Sequence, residues 1–462
     1  MTTLTFSNLP LSAAVLENLE QLAYHTMTPI QAQGLPVILA GHDLIAQAKT
    51  GSGKTATFGL GILHSLDAAA LVTQSLVLCP TRELAEQVAN ELRRLARALG
   101  NIKVLTLCGG TPIRPQVESL KFGAHVLVAT PGRLMDHIER NTVDLSQLRT
   151  LVLDEADRML DMGFYDDVTT IVKACPSKRQ TLLFSATYSD TVRKASARFL
   201  RNPVEIEVES LHDASQIEQH FYEIEPQERY AAVARLLEHF RPESTLAFCN
   251  TKAHCRELIE ELSARGFSAL TLHGDLEQRD REDVLIQFAN RSCSVLVATD
   301  VAARGLDIDS LDAVINVDIT PDPEVHIHRI GRTGRVDAKG LALTLCAPQE
   351  LRRANLIEKY QGQPIVWSKL KGLKPASSER LQPPMVTLCI QGGKKDKLRP
   401  GDLLGALTKD AGFAAEQIGK INIMEFVSFV AVKRQIAKDA YTKLSRGNIK
   451  GRQFRLRFMD RD

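Results

Sequence analysis

Between Asp43 and about Leu345 the chain repeats one pattern, a short run rich in β-branched residues followed by a longer amphipathic stretch. A strand that returns through a helix rejoins its sheet in parallel, so such a chain folds as parallel sheets covered by helices. A first series of strands is expected near Asp43–Gln47, Ser75–Cys79, Val104–Leu107, His125–Ala129, Thr150–Leu153 and Thr181–Phe184. The polar segment Glu209 to Gln216 interrupts it, and a second series follows near His220–Ile224, Thr245–Phe248, Ala269–Leu272, Ser294–Ala298, Ala313–Val317 and Leu341–Leu345. The expected fold class is α/β, with two parallel-sheet domains spanning residues 1–208 and 217–362.

Beyond Trp367 the pattern changes. Ser368 to Pro384 is rich in Lys, Pro and Ser and reads as part of a flexible linker, residues 363–384. Residues 385–462 then run strand, helix, two strands, helix, strand, a βαββαβ order matching the small α+β layout of an RNA-recognition-motif domain. Residues 352–462 hold 23 Lys and Arg against 10 Asp and Glu, a net of +13, which leaves −11 on the rest of the chain. A basic tail on an acidic body suits a polyanionic partner, with a solvated basic surface as the bland alternative.

The remaining composition narrows the class by exclusion. Apolar runs are of strand length only, so no membrane span is expected, and the first eleven residues lack the layout of a signal peptide. The eight cysteines are scattered without CxxC spacing, which points to reduced core residues in a cytoplasmic protein rather than zinc ligands or disulfides.

Two short segments carry the chemistry. Ala48-Lys49-Thr50-Gly51-Ser52-Gly53-Lys54-Thr55 follows an apolar strand and opens a helix. Its glycines let backbone N–H groups face a phosphate chain, Lys54 offers a mobile positive charge, and Thr55 a hydroxyl for Mg²⁺. Ala48 stands where the usual pattern has glycine. Asp154-Glu155-Ala156-Asp157 closes an apolar strand, at the edge where α/β sheets bind ligands. There Asp154 suits Mg²⁺ held through water, and Glu155 suits orientation of an attacking water. In the second series, His328 to Arg335 packs three arginines into eight residues, and Arg332 and Arg335 are candidate arginine fingers for a γ-phosphate.

Together these segments resemble the DEAD-box family of superfamily 2 helicases over about Phe6 to Cys346. The resemblance implies two RecA-like domains, ATP with Mg²⁺, and RNA as substrate. It also brings in Thr28-Pro29-Ile30-Gln31, similar to the family's adenine-reading motif, with Gln31 on the base edge and Phe6 stacked on the base. Thr81 and Arg82, Gly110, and Thr130 with Arg133 fall in segments the family uses on RNA backbone. Ser185 and Thr187 belong to the segment that couples hydrolysis to strand separation. In the second domain the resemblance places Asp307 on the ATP ribose, and Gly274 and Thr299 near RNA phosphates. A DEAD-box core with this tail resembles the bacterial DbpA group, which implies a hairpin of large-subunit ribosomal RNA as partner and a part in assembling that subunit.

The tail departs from the usual RNA-recognition signature. Aligning Phe429-Val430 with its core puts Val427 and Val432 where aromatics are expected, and the strand Val386 to Ile390 has none. Period-2 alternation in Gln453 to Phe458 puts Arg455 and Arg457 on the open sheet face, while Lys394, Lys395 and Lys397 crowd the loop after the first tail strand. These are the expected RNA contacts of the tail. The leading function is RNA-stimulated ATP hydrolysis coupled to local duplex opening. An ATP-gated RNA clamp with little turnover is the alternative, and Glu155 weighs against it, because a clamp needs no water-activating carboxylate. A phosphotransferase explains neither the second domain nor the tail.

Overall fold

A computed structural model describes residues 5–48, 51–188, 190–208, 217–303, 311–334 and 340–459. The first sheet contains β1 (Leu44–Gln47), β2 (Ser75–Leu78), β3 (Val104–Leu107), β4 (Val126–Ala129), β5 (Thr150–Asp154), β6 (Gln180–Ser185) and β7 (Val204–Glu207). Its order is β3-β4-β2-β5-β6-β1-β7, parallel throughout. Helices cover both faces, and successive residues of each strand feed different apolar clusters. Leu76, Leu78, Leu127, Leu151, Leu153 and Leu183 enter one. Val77, Val126, Val128, Val152, Leu182 and Phe184 enter the other. Burial on both faces is why these strands read as unbroken apolar runs.

The second sheet repeats the plan with β8 (Ile217–Glu223), β9 (Thr245–Cys249), β10 (Ala269–Leu272), β11 (Val295–Thr299), β12 (Ala313–Asn316), β13 (Gly340–Cys346) and β14 (Trp367–Ser368). Its order, β10-β11-β9-β12-β13-β8-β14, is again all parallel. Sequence reading missed β7 and β14. Both are edge strands: β7 buries only Ile206, and β14 is a two-residue pairing with Phe221 and Tyr222. Neither carries an apolar signal strong enough to stand out.

The tail forms an antiparallel sheet of β15 (Met385–Ile390), β16 (Ile418–Ile423), β17 (Ser428–Lys433) and β18 (Leu456–Phe458), in the order β16-β17-β15-β18. Leu403, Leu407, Ala440 and Leu444 of the covering helices pack against Val386, Leu388, Ile390, Val430 and Val432. Val432 is thus an aliphatic core residue on the helix side, and its lack of an aromatic ring has no bearing on RNA stacking. Two expectations are corrected here. The segment 368–384 lies along the second sheet domain, with Leu370 and Leu381 buried in that domain's core, so it is a strap and not a free tether. The sheet face away from the tail helices is also closed, because Cys389, Phe429 and Met459 are buried beside Ile286 of the second domain. Among the described residues no helix is long and apolar enough to cross a membrane.

Candidate nucleotide and RNA sites

The first site assembles at the carboxyl edge of β1, β5 and β6. Ala48 extends β1, its N–H donating to the Ser185 carbonyl at 2.9 Å, with no left-handed backbone at that position. This explains why alanine serves there in place of glycine. Lys49 and Thr50 lie outside the described residues. Gly51 and Gly53 do take left-handed conformations, φ 82° and 95°, where a side chain is strained. At Gly53 a Cβ would also come within 2.6 Å of Gln31 Nε2, so the phosphate loop and the upstream Gln31 are closely fitted.

Gln31 is buried. Its Oε1 accepts from Thr28 N at 2.9 Å, and its Nε2 donates to the Gly53 carbonyl at 3.4 Å. One amide hydrogen and one lone pair remain for a base edge. Phe6 is buried with Leu35 and Leu60, edge-on to Tyr24 with ring centroids 6.2 Å apart. In this conformation it packs against the core and presents no open face to a base.

Lys54 begins the helix Lys54–Ser65 and is buried, and its Nζ has no hydrogen-bond partner among the described residues. A buried ammonium without acceptors costs several kcal/mol unless an anion joins it, on the order of the penalty for one desolvated ion. Ser52 Oγ is likewise buried without a partner, and Thr55 follows half-buried. Asp154 ends β5. Burial raises its carboxyl to about 7, with the Lys54 charge opposing. An unpaired ammonium and a desolvated carboxylate together form a cradle suited to a phosphate chain and its counter-ion.

Glu155 holds a left-handed backbone, φ 52°, rare for a side chain of its kind and a form of strain that gathers at functional sites. Its Oε2 accepts from Arg158 Nη1 at 2.7 Å in a buried pair. Asp157, which sequence reading passed over, accepts at Oδ2 from the Ala186 and Thr187 N–H groups and the Thr187 hydroxyl, at 3.2, 3.1 and 3.1 Å. Ser185 Oγ donates to the Thr187 carbonyl at 2.6 Å. One carboxylate therefore ties the end of β5 to the end of β6. The available signal was a second acidic residue three positions beyond Asp154.

The expected RNA residues of this domain sit at the same sheet edge, beyond the neighbouring strands β2, β4 and β3. Thr81 caps the helix Arg82–Leu95, accepting from Leu84 N, and Thr130 precedes the helix Pro131–Glu139. The Arg82 guanidinium lies where a Cβ on Gly110 would be, and Gly110 has φ 78°, so glycine is required twice over. Arg133 Nη2 donates to the Thr111 carbonyl at 2.9 Å. Two adjacent helix N-termini beside arginines form a surface suited to phosphates.

In the second domain Thr299 ends β11, Gly274 lies beyond β10, and Arg332 is buried just after the helix Pro323–Ile330. Arg335 and Asp307 lie outside the described residues. Arg329, not singled out from sequence, is 2% exposed and forms a two-pronged pair with Asp300, 2.7 Å at each prong. It also donates to Asn250 Oδ1 at 2.9 Å and the Asp318 carbonyl at 2.7 Å. It holds the ends of three strands and so fixes the loop that carries Arg332.

In the tail, Lys394 and Lys397 line a cleft of about 620 Å³ with Leu398, Arg399, Ile423 and Lys450. Lys395 turns aside to pair with Glu425 at 3.2 Å. Arg455 is exposed, outside the paired part of β18. Arg457 does face away from the tail helices, as the alternation required, but meets Asp283 of the second domain at 3.5 Å rather than open solvent.

Comparison with known proteins defines the class. Residues 28–195 match the DEAD/DEAH box helicase family, 228–337 the helicase conserved C-terminal domain, and 387–458 the DbpA RNA binding domain. The chain belongs to the DEAD-box family of ATP-dependent RNA helicases. It is 53% identical to the ATP-dependent RNA helicase DbpA of Escherichia coli, over 97% of this chain and 98% of that protein. It is 43% identical to the ATP-dependent RNA helicase CshA of Listeria monocytogenes, over 82% and 74%. Among solved structures, Saccharomyces cerevisiae Dbp5 bound to RNA and ADP BeF3 superimposes with TM-score 0.73 at 28% identity, covering 79% of this chain and 96% of that one. Mss116p bound to ssRNA and AMP-PNP gives 0.72 at 26%, covering 80% of each.

Proposed function

We propose that this helicase opens short RNA duplexes locally and non-processively, on large-subunit ribosomal RNA during assembly of that subunit in the cytoplasm. Its parts are an N-terminal ATP-binding domain (1–208), a second helicase domain (217–362) and an RNA-binding tail (385–462). Lys54 neutralises the β- and γ-phosphates, and Glu155 orients the attacking water. Arg332 and Arg335 stabilise transferred charge when the domains engage. Mg²⁺ fits beside the desolvated Asp154 and Thr55, and when bound it would offset phosphate charge. Gln31 reads the adenine, and Asp307 takes the ribose.

The observation that carries this reading is the unpartnered buried Lys54 facing Asp154, joined through Asp157 to Ser185 and Thr187. A change at the nucleotide is thereby transmitted along the edge that holds Thr81, Arg82, Gly110, Thr130 and Arg133. The second domain adds Gly274 and Thr299. In the tail, Lys394 and Lys397 with Arg399 and Lys450 take phosphates of a structured hairpin. Lys395 and Arg455 lie at the margin of that surface.

The test measures phosphate release and strand displacement with large-subunit ribosomal RNA and with poly(U), in the full chain and in a chain ending at Gln361. Full-length protein should prefer the ribosomal RNA, and the shortened chain should lose the preference while keeping a weak RNA response. An unchanged preference after truncation, or hydrolysis indifferent to RNA, overturns the reading. Release of one phosphate per binding event without turnover would instead support a clamp.

A further inference from the structure

RNA-recognition-motif domains ordinarily present one sheet face to bases, which stack on its aromatic side chains. In this tail that face carries Thr387 and Cys389 of β15, Phe429 of β17 and Arg457 of β18, with Met459 just beyond. Phe429 occupies a stacking position and is 2% exposed. Its cover is the helix Gln278–Ala289 of the second RecA-like domain and the turn that follows. Ile286 packs onto the cluster of Cys389, Phe429 and Met459.

Polar contacts fix the register of this dock. The Ser292 and Thr387 hydroxyls lie 2.7 Å apart, both buried. Ser292 Oγ donates to the Gln287 carbonyl at 2.9 Å, which leaves Thr387 to donate to Ser292 and to accept from Asn290 Nδ2 at 3.2 Å. Met385 N donates to the Arg291 carbonyl at 3.3 Å, and Arg457 meets Asp283 at the margin. Buried hydroxyl and amide groups that satisfy one another only in this pairing penalise any other seating of the domain.

The connecting segment is fastened as well. Besides burying Leu370 and Leu381, it receives the Arg241 guanidinium on the Glu379 carbonyl at 2.7 Å, and Ala376 N donates to the Glu238 carbonyl at 3.1 Å. At its far end Arg434 of the tail donates to the Pro383 carbonyl at 2.7 Å. A strap tied to both bodies cannot act as a swivel.

We propose that the second RecA-like domain and the tail domain work as one rigid body, in which the sheet face is given over to the chain's own helix Gln278–Ala289. RNA is consequently denied that face and is held by the basic cleft of Lys394, Lys397, Arg399 and Lys450. A hairpin bound there is carried with the second domain through every ATP cycle, in a fixed orientation. The placement of RNA in the cleft rests on the function proposed above, whereas the dock does not.

The experiment is an engineered disulfide, Ser292→Cys with Thr387→Cys, in the full chain. The two oxygens are 2.7 Å apart, so sulfurs at these positions reach bonding distance with small adjustment, about 2.05 Å being required. Mild oxidation should link residues 292 and 387, identified by peptide mass. The linked protein should keep ATPase stimulation by large-subunit ribosomal RNA within about twofold of its reduced form. Loss of stimulation on linking, restored by reductant, would mean that the face must open during the cycle and overturns the proposal. So does absence of the link in protein that folds and hydrolyses normally. A second variant, Asp283→Arg with Ile286→Glu, separates the dock from the choice of RNA site. Its affinity for the ribosomal RNA should stay within about threefold of wild type while stimulation falls. Tighter binding by tenfold or more would show the sheet competing for RNA and overturns the rigid-body reading. If the preference for ribosomal RNA over poly(U) is missing even in wild type, it is the proposed function that fails, and the crosslink still reports on the dock.

Discussion

Mild acid should destabilise the second RecA-like domain through one side chain. His326 lies in the helix Pro323–Ile330, fully buried, with its ring 5.7 Å from that of Phe221 and neither ring nitrogen partnered among the described residues. Burial first, and then the charge of Arg329, push its pKa down to about 3. An unfolded histidine titrates near 6.5, roughly. The folded value is the lower one, so the unfolded chain takes up the proton first. The stability gained by keeping the ring neutral is complete above about pH 6.5 and is lost as pH falls toward 3. Between pH 7.5 and 5.0 the loss is about 2 kcal/mol, a substantial part of the roughly 5–15 kcal/mol that holds a domain together. The chain has a single tryptophan, Trp367, whose ring lies 5.8 Å from Phe221, so urea unfolding followed by its fluorescence reports on this neighbourhood. His326→Phe keeps an aromatic ring and cannot take the proton. The wild-type stability difference between the two pH values should exceed that of the variant by about 2 kcal/mol. Equal pH dependence in the two proteins would refute the assignment, whatever their absolute stabilities.

Three further outcomes follow from the site geometry. Glu155→Gln should lower RNA-stimulated phosphate release by roughly 10²–10⁴-fold while ATP binding persists; wild-type turnover would remove Glu155 from the chemistry. Because the variant also leaves the buried Arg158 without its charge partner, thermal unfolding should shift downward, and Arg158→Met in the same chain should recover part of the shift. Arg332→Ala should reduce stimulated hydrolysis by roughly 10³-fold with little effect on ATP affinity in the absence of RNA, and loss of that affinity instead would place Arg332 in the open-state site. Asp157→Ala removes the acceptor of three hydrogen bonds from Ala186 and Thr187, so duplex opening per ATP hydrolysed should fall; an unchanged ratio of the two rates would deny the link between β5 and β6.

Much of the molecule was legible because its signals are local. A buried parallel strand is an apolar run, and its carboxyl end is where the next polar segment begins. Lys54, Asp154 and Ser185 could therefore be placed at one edge from strand positions alone. What escaped depends on contacts distant in sequence. Asp157 looks like one more acidic residue until the end of β6 is brought beside it. Arg329 reads as one of three arginines in a charged turn, and its burial follows only from Asp300, Asn250 and Asp318 converging on it. The segment 368–384 has linker composition, yet three leucines stand in it at 370, 373 and 381, and these apolar anchors outweigh the prolines and lysines around them.

The docked tail face had a signal of its own. In Met385 to Ile390 and Ser428 to Lys433, Val386, Leu388, Ile390, Val430 and Val432 point to the helices, but Cys389, Phe429 and Ala431 on the opposite side are apolar or small too. A sheet with one wet face alternates apolar with polar, whereas a sheet apolar on both sides is covered on both. The scarcity of stacking aromatics and this two-sided pattern are then one fact seen twice. The face was never composed for bases, and the +13 charge of the region is displayed around it, in loops and at the cleft. A free tether would raise only the local concentration of RNA at the helicase domains, an effect that changes apparent affinity and leaves the rate at saturating RNA untouched. A docked tail also fixes the angle at which the duplex arrives, so its loss should appear in that saturated rate.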